Sequence, residues 1–342
     1  MDYAKLWFVF WAVLWTGYFA LDGFDLGVGF SGWLAADGAD DRRNIFSSIG
    51  PFWDGNEVWL ITAGGVTFAA FPAVYATMFS ALYTPLMLIL FALIIRGVSI
   101  EFRNQIESQA WKRVWDTCFF IGSSVPALLF GVAFANIFKG IPIDENGIFH
   151  GNLLTLLNPY GLLGGVEFLL LFMLHGALWL GLKTQGDLHD RAARTAEKLW
   201  PLVLVFTLVF VVASYFSTDL FVNYFAHPAL FLVIIITVAA IFGIRVYLKK
   251  GAFVLAWAAS SLTIVGATFF GVIGLFPTLF GSSMDAAYSL TAFNASSSPL
   301  TLKIMLGVVL VFIPLVIAYQ VWAYSMFMGK ITDEDLDHGE GY

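Results

Sequence analysis

Nine long apolar runs constrain this chain more than any other feature of its sequence. Each is long enough to cross the hydrocarbon core of a bilayer, which is about 30 Å thick and needs roughly 20 apolar residues per helix. Because lipid offers the backbone no hydrogen-bond partners, such runs fold as helices. The runs cover residues 6–31, 51–71, 77–99, 115–138, 160–182, 199–217, 226–248, 252–276 and 300–328. We therefore expect an all-α integral membrane protein with about nine transmembrane helices in one domain, residues 1–328, followed by an acidic tail at 329–342.

The composition supports a membrane protein and excludes several other classes. The chain is 59% hydrophobic and 12% charged, about half the charged fraction of a soluble domain. Its single cysteine, Cys118, excludes an internal disulfide and thiolate clusters for zinc or iron–sulfur groups. The sequence has no phosphate-binding glycine loop, dinucleotide fingerprint or nucleophile elbow, and nothing indicates nucleic-acid binding. The N-terminus lacks the features of a cleaved signal peptide, so the first run is expected to be the first helix.

The distribution of Lys and Arg predicts the orientation. The loops after helices 1, 3, 5 and 7, with the tail, contain 14 of the 17 basic residues. Lys5, Lys139 and Lys303 lie on the other side. Since basic residues accumulate in cytoplasmic loops, we expect the N-terminus outside and the C-terminus and its tail in the cytoplasm.

Four carboxylates lie at or inside the cytoplasmic ends of the first two helices. Asp22 and Asp25 share one face of helix 1, and Asp54 and Glu57 lie one turn apart at the start of helix 2. A carboxylate at the bilayer centre costs roughly 2.5–3.5 kcal/mol on insertion scales, so such residues need a partner, water or a proton. The group is typical of proton uptake. The alternative for Asp54 is a helix-start carboxylate stabilised by the helix dipole.

Four further polar residues are weaker candidates. Arg96 ends helix 3 on the same side, where it either snorkels to the surface or neutralises one of the carboxylates. Glu167 and His175 lie within helix 5, where Glu167 suits either a functional site or a polar contact with a partner subunit. Asp116 starts helix 4 and is expected to have a helix-terminal role.

The aromatic and histidine residues bear on cofactors. Trp7, Trp11 and Trp15 form a stripe on helix 1, which predicts packing or interfacial anchoring, with a quinone or lipid groove as the alternative. Of the five histidines, His175 alone lies deep in the membrane. A membrane cytochrome needs several buried axial ligands, so we expect this chain to bind no haem and no metal.

Several motifs, in order along nearly the whole chain, closely resemble subunit II of the bacterial cytochrome bd quinol oxidases. They read DGFDLGVG, PFWDGNEVWLITAGG, FAAFPAVYA, RGVSIEFR, IGSSVPALLFGVAFAN, NPYGLLGG, SSPLTL and KITDEDL. The resemblance implies two four-helix bundles plus one peripheral helix, in the bacterial cytoplasmic membrane. It also implies a heterodimer with a subunit I that carries two b haems and one d haem, oxidises quinol and reduces oxygen to water with cytoplasmic protons.

The resemblance also ranks the candidate residues. Asp54 of WDGN and Asp25 of GFD are implied proton-path residues, and Asp22 matches as well. The family commonly has Gln at the position of Glu57, and its pattern does not require Glu167. Small single-helix subunits, bound lipid and a structural quinone in this chain are left open by the resemblance. The residues alone also allow a second hypothesis, a stand-alone proton-coupled transporter, which predicts helices broken at mid-membrane.

Overall fold

The computed structural model describes residues 2–332, and α-helices make up most of that range. The helices are α1 Tyr3–Ala35, α2 Ala39–Ile49, α3 Trp53–Ala70, α4 Pro72–Ala81, α5 Tyr83–Phe102, α6 Gln109–Lys139, α7 Leu153–Leu156, α8 Pro159–Lys183, α9 Gly186–Ser217, α10 Leu220–Ala226, α11 Phe231–Lys249, α12 Phe253–Leu275 and α13 Pro299–Phe327. Within the described residues, eight helices are long and apolar enough to cross a membrane, namely α1, α5, α6, α8, α9, α11, α12 and α13. The predicted helical membrane fold is confirmed.

The second predicted helix, residues 51–71, corresponds to α3, which is not one of these eight apolar helices. It begins at Trp53 rather than at Pro51 and spans 18 residues. Its first turns contain Asp54, Asn56 and Glu57, which lower its mean hydropathy below that of the 18-residue apolar stretch present in each of the eight helices. Phe71 leaves the helical conformation at φ −135° and ψ 64°, because the proline that follows disfavours a helical residue before it.

Several elements lie outside the predicted runs. The third run, predicted at 77–99, is divided between α4 and α5. The sixth helix begins at Gly186 rather than near 199, since its polar first turns continue the same helix beyond the apolar segment. Between α12 and α13 a small hairpin forms, in which β1 (Thr278–Phe280) pairs antiparallel with β2 (Leu290–Thr291). A search for long apolar runs finds the segments that cross lipid, and it misses short or polar elements such as these.

Glycines allow the central helices to touch at their backbones. A Cβ on Gly27 of α1 would lie 1.8 Å from the carbonyl oxygen of Phe172 in α8. A Cβ on Gly176 would lie 2.2 Å from the backbone of Gly27, and one on Gly131 of α6 would lie 2.2 Å from the carbonyl oxygen of Gly164 in α8. Such small-residue contacts let membrane helices approach closely. The three helices α1, α6 and α8 therefore form the centre of the molecule.

The helices group as two bundles around this centre, as the resemblance implied. One contains α1, α3, α5 and α6, and the other contains α8, α9, α11 and α12. They meet where α8 packs on α1 and α6. Helix α13 lies at the periphery beside α1 and α3, and the described part of the chain buries only Leu302 of its side chains. Of the predicted acidic tail, residues 333–342 lie outside the described range.

Candidate functional site

Helices α1, α3 and α5 bring three of the predicted side chains together. The Arg96 Nη2 group donates hydrogen bonds to Asp22 Oδ1 at 2.7 Å and to Glu57 Oε1 at 2.8 Å. Arg96 and Asp22 are fully buried, whereas the side chain of Glu57 remains 23% exposed. Arg96 therefore does not snorkel to the surface. It follows the alternative interpretation, in which it neutralises carboxylates within the bundle.

Asp25 lies one turn along α1 from Asp22 and has a different partner. Its Oδ2 atom accepts a hydrogen bond of 2.7 Å from the Asn56 Nδ2 group of α3. Asn56 and Asp25 are both fully buried. The other oxygen, Asp25 Oδ1, is buried without a partner among residues 2–332, as is Asp22 Oδ2. The two aspartates thus share a helix face, as their spacing predicts, but each is held by a different helix.

A hydrogen-bond network connects Asn56 to the peripheral helix α13. The Asn56 Oδ1 atom accepts bonds from the Tyr324 hydroxyl at 2.7 Å and from Gln320 Nε2 at 3.1 Å. The Gln320 Oε1 atom in turn accepts a bond of 2.8 Å from the Trp59 indole N–H. A hydrogen-bonded path therefore runs from Trp59 through Gln320 and Asn56 to Asp25.

Asp54 does not join this buried cluster. It lies in the first turn of α3, and its side chain is exposed on the surface of the chain. Its carboxylate has no hydrogen bond or ion pair with any other described residue. The uncovered face of α3 continues from Asp54 through Val58 and Ile61 to Phe68, which are 48%, 73% and 60% exposed. Three of the four predicted carboxylates therefore converge, and the fourth lies on an open apolar face beside them.

The two polar residues of α8 lie apart from the cluster. Glu167 is 3% exposed, and its Oε1 atom accepts a bond of 2.5 Å from the Thr207 hydroxyl of α9. The His175 ring has both nitrogens in contact, Nδ1 with Ser260 Oγ at 2.5 Å and Nε2 with the Ala20 carbonyl oxygen at 3.1 Å. Both ring nitrogens of His175 are engaged in these contacts, so neither is free to bind a haem iron as an axial ligand.

The tryptophan stripe of α1 is covered by neighbouring helices. Trp7 donates its indole N–H to the Leu302 carbonyl at 3.0 Å, and Trp11 donates to Thr67 Oγ1 at 3.0 Å. Trp7, Trp11 and Trp15 are 0%, 1% and 6% exposed. This geometry favours packing over an open quinone or lipid groove. Within residues 2–332, no three His, Cys, Asp or Glu side chains lie close enough to hold a metal ion.

Comparison with known proteins identifies the family. The family model described as cytochrome bd terminal oxidase subunit II matches residues 3–327. The chain belongs to this family. It is 39% identical over 333 residues to cytochrome bd ubiquinol oxidase subunit 2 of Bacillus subtilis, covering 96% of this chain and 97% of that one. It is 36% identical over 375 residues to cytochrome bd-I ubiquinol oxidase subunit 2 of Escherichia coli K12, covering 98% of both chains.

A solved structure supports the fold of this subunit II family member. The bd oxidase structure from Geobacillus thermodenitrificans contains a chain that matches with a TM-score of 0.76, covering 96% of this chain and 100% of that one. The sequence identity of that pair is 14%, so the similarity concerns the fold. Family and helices together show a multi-pass protein of the bacterial inner membrane and a subunit of a membrane oxidoreductase.

The prediction from sequence missed three residues of the network in this subunit II chain. Asn56 lies between two acidic residues in the WDGNEVW segment, which drew attention to the carboxylates instead. Gln320 and Tyr324 lie in the apolar segment of α13. The available signal was their spacing, because Gln320 and Tyr324 are four residues apart and share a helix face. Polar residues on one face of an otherwise apolar helix indicate an interhelical contact.

A second charged cluster fixes the short helix α2 to the bundle of this subunit II chain. Asp116 accepts a bond of 2.6 Å from Arg103 Nε and lies 3.5 Å from Arg42 of α2. Arg191 of α9 pairs with Asp41 of α2 and donates to the Ala35 carbonyl at 2.7 Å. The helix-terminal role expected of Asp116 is wrong, because α6 begins at Gln109, two turns earlier. Asp116 instead joins two basic side chains at this end of the bundle.

Proposed function

We propose that this chain is subunit II of a cytochrome bd-type quinol oxidase and that it assembles with a haem-bearing subunit I. The complex would oxidise quinol and reduce oxygen to water. This chain would support assembly and conduct protons, while the b and d haems would lie in the partner. The proposal rests on the family match over residues 3–327 and on the engaged ring nitrogens of His175.

The buried cluster of three carboxyls and one guanidinium is the observation that supports a proton path. Asp22, Asp25 and Glu57 offer three acidic groups, and Arg96 offers one compensating charge. Burying uncompensated charge costs several kcal/mol per ion even after relaxation. Binding protons brings such a cluster towards neutrality, so it is suited to take up a proton and pass it on.

The unpaired polar atoms of the cluster extend the same proposal. Asp22 Oδ2, Asp25 Oδ1 and the Arg96 Nε and Nη1 groups are buried without a partner among the described residues. Water that bridges buried polar groups typically makes about three hydrogen bonds. These atoms provide both acceptors and donors for such water, which would connect the carboxyls into a path.

The position of Asp54 indicates where the path would lead. It is exposed on α3 next to Val58 and Ile61, large apolar side chains that the chain itself leaves uncovered. A charged side chain on a lipid-facing surface is costly. We propose that subunit I covers this face and that Asp54 transfers protons across the interface between the two subunits. Glu57 and Arg96 would be the next groups on this path within the chain. Glu167, which lies in the other bundle beside Thr207, is a weaker candidate for a second path.

The transporter hypothesis has less support. It predicts helices broken at mid-membrane around a binding site. The long helices that contain internal proline, α6, α9 and α13, continue through Pro126, Pro201 and Pro314. The break between α3 and α4 at Phe71 lies at the end of α3 remote from Asp54.

Purification from membranes tests the assembly. An affinity-tagged copy of the chain should copurify with a second membrane subunit and with b- and d-type haem absorption. A colourless chain that purifies alone and supports substrate uptake would refute the oxidase.

Substitution of the carboxylates tests the proton path in the purified oxidase. We expect Asp54→Asn and Asp25→Asn to lower quinol-driven oxygen consumption at least about tenfold, a barrier increase of about 1.4 kcal/mol, with unchanged haem spectra. The matched control is Asp219→Asn, an exposed aspartate between α9 and α10, which should leave turnover unchanged. Full turnover in both path variants would remove these residues from the path.

A further inference from the structure

The direction of the Asn56 amide is determined by the network that reaches it from α13. An asparagine amide has an acceptor oxygen at one end and a donor nitrogen at the other, and flipping it exchanges the two. At the Asp25 end, Asn56 presents its nitrogen, 2.7 Å from Asp25 Oδ2 and 3.3 Å from the Leu21 carbonyl. At the other end its oxygen faces Gln320 and Tyr324.

The chemistry of Trp59 makes this orientation unambiguous. An indole N–H is only a donor, so the group 2.8 Å from it must be the Gln320 oxygen. The Gln320 nitrogen then faces Asn56, at 3.1 Å, and requires an acceptor there. Asn56 consequently presents its oxygen to α13 and its nitrogen to Asp25. The Trp59 indole thus determines the direction of the Gln320 amide. The Gln320 amide in turn determines which end of Asn56 faces Asp25.

We propose that Gln320, which Trp59 orients, and Tyr324 of α13 are positioning residues that hold Asn56 as a hydrogen-bond donor to Asp25 and so set the pH range of proton transfer. The inference rests on the proposed function, in which Asp25 carries protons. The other charged groups that act on Asp25 are Asp22 of α1, Glu57 of α3 and Arg96 of α5, and they are the same in every variant of the test below. A donor stabilises the ionised carboxyl, whereas a flipped Asn56 would place its oxygen against Asp25 and oppose ionisation.

The attachment of α13 gives this role a physical basis. Its middle is largely uncovered by the described chain, and its contacts concentrate at its ends. At one end the Leu302 carbonyl accepts the Trp7 indole N–H at 3.0 Å. At the other, Lys183 of α8 donates to the Phe327 carbonyl and, at 2.6 Å, to the Gly329 carbonyl. Gln320 and Tyr324 lie just before that second attachment, so α13 presents them to Asn56 from a fixed position.

Two near-isosteric substitutions test the proposal in the purified oxidase. Gln320→Glu replaces the donor nitrogen by an oxygen, so the ionised carboxylate of this variant accepts from Trp59 and favours a flipped Asn56. Tyr324→Phe removes the hydroxyl donor and keeps the ring. The matched control is Tyr319→Phe, which removes a hydroxyl from the same helix at a side chain that is 66% exposed.

The readout is the pH dependence of quinol-driven oxygen consumption, with haem spectra and yield as measures of assembly. We expect Gln320→Glu to shift the profile towards higher pH by about one unit, a tenfold change in proton binding. Tyr324→Phe should shift it less in the same direction, and Tyr319→Phe should not shift it. Because the charge added by Gln320→Glu also repels ionised Asp25, the uncharged Tyr324→Phe is the deciding variant, and a wild-type profile in Tyr324→Phe overturns the positioning role. A general structural defect lowers yield or turnover without moving the profile.

A double variant separates this inference from the proposed function. In an Asp25→Asn background, which keeps residual turnover, Gln320→Glu should add no further shift, because its effect acts through Asp25. An impaired Asp25→Asn combined with wild-type pH profiles in Gln320→Glu and Tyr324→Phe would overturn the positioning role and leave the proton path intact. A fully active Asp25→Asn would overturn both.

Discussion

Removing the Arg96 guanidinium is the most informative single perturbation of the buried cluster. Arg96→Met preserves most of the volume of the side chain and deletes the charge that bonds Asp22 at 2.7 Å and Glu57 at 2.8 Å. Asp22 is fully buried and would then lie between helices without its cation. The perturbation is therefore larger than the loss of two hydrogen bonds, since it leaves a buried charge uncompensated.

The geometry sets the expected magnitude. Removing one partner of a buried ion pair costs about 3–5 kcal/mol. The Arg96–Asp22 pair is fully buried and belongs to this class. The Arg96–Glu57 pair adds less, because Glu57 is 23% exposed and water can solvate it. We expect Arg96→Met to lower the free energy of unfolding by about 3–5 kcal/mol.

Titration with SDS in mixed micelles, followed by tryptophan fluorescence, measures this change, since the chain contains 12 tryptophans. The control is Arg245→Met, the same substitution at a pair in which Arg245 and Glu197 are 32% and 47% exposed and 3.4 Å apart. Such a surface pair is worth about 0–1 kcal/mol. The two variants therefore compare one deleted charge in two environments.

Neutralising the partners of Arg96 provides the decisive comparison. Replacing a whole buried ion cluster by neutral groups is often harmless, whereas breaking it is not. Combining Arg96→Met with Asp22→Asn and Glu57→Gln should therefore recover most of the lost stability. The reasoning is refuted if Arg96→Met unfolds within about 1 kcal/mol of the unsubstituted protein, or if the triple variant is no more stable than Arg96→Met.

Two further predictions follow from the close helix contact and from the loop between α6 and α7. Gly176→Ala places a methyl group 2.2 Å from the backbone of Gly27. It should lower the free energy of unfolding by about 1–3 kcal/mol in the same SDS titration. The control is Gly243→Ala, whose added methyl group has its nearest neighbours at 3.7 Å and should not destabilise the protein. Hydrogen bonds from His150 and from the Ile148 backbone lower the pKa of Asp144, so the stability that this carboxylate adds to its loop is present above about pH 4 and is lost as the pH falls further. Hydrogen exchange at the Ile148 amide should therefore accelerate below about pH 4 and lose this dependence in Asp144→Asn, and a pH-independent Ile148 amide in the unsubstituted protein would contradict the assignment.

Much of the fold followed from properties that are local along the chain. The cost of exposing backbone to lipid makes each long apolar run a helix, and the helical period places Asp22 and Asp25 on one face of α1. The apolar runs located the segments that cross the membrane. They missed elements that are polar or short, such as α2, the first turns of α9 and the hairpin β1–β2. Residue type also identified Asp22, Asp25 and Glu57, because intramembrane carboxylates are rare and costly.

The partners of these residues were decided by tertiary packing. Arg96 lies 74 residues from Asp22 in the sequence, and Tyr324 lies 268 residues from Asn56. Nothing local distinguishes a snorkelling Arg96 from one turned into the bundle. The backbone contact between α1 and α8 at Gly27 and Gly176 and the position of α13 beside α3 determine which side chains meet.

Asp54 and Glu57 show the division between the two kinds of information. The sequence by itself placed both at the start of one membrane helix and indicated that both needed a partner, a proton or water. Only the tertiary structure turned Glu57 towards Arg96 and left Asp54 on an uncovered face. The physical reason is that the helical period determines which residues share a face, whereas the neighbour that covers each face depends on how distant helices pack.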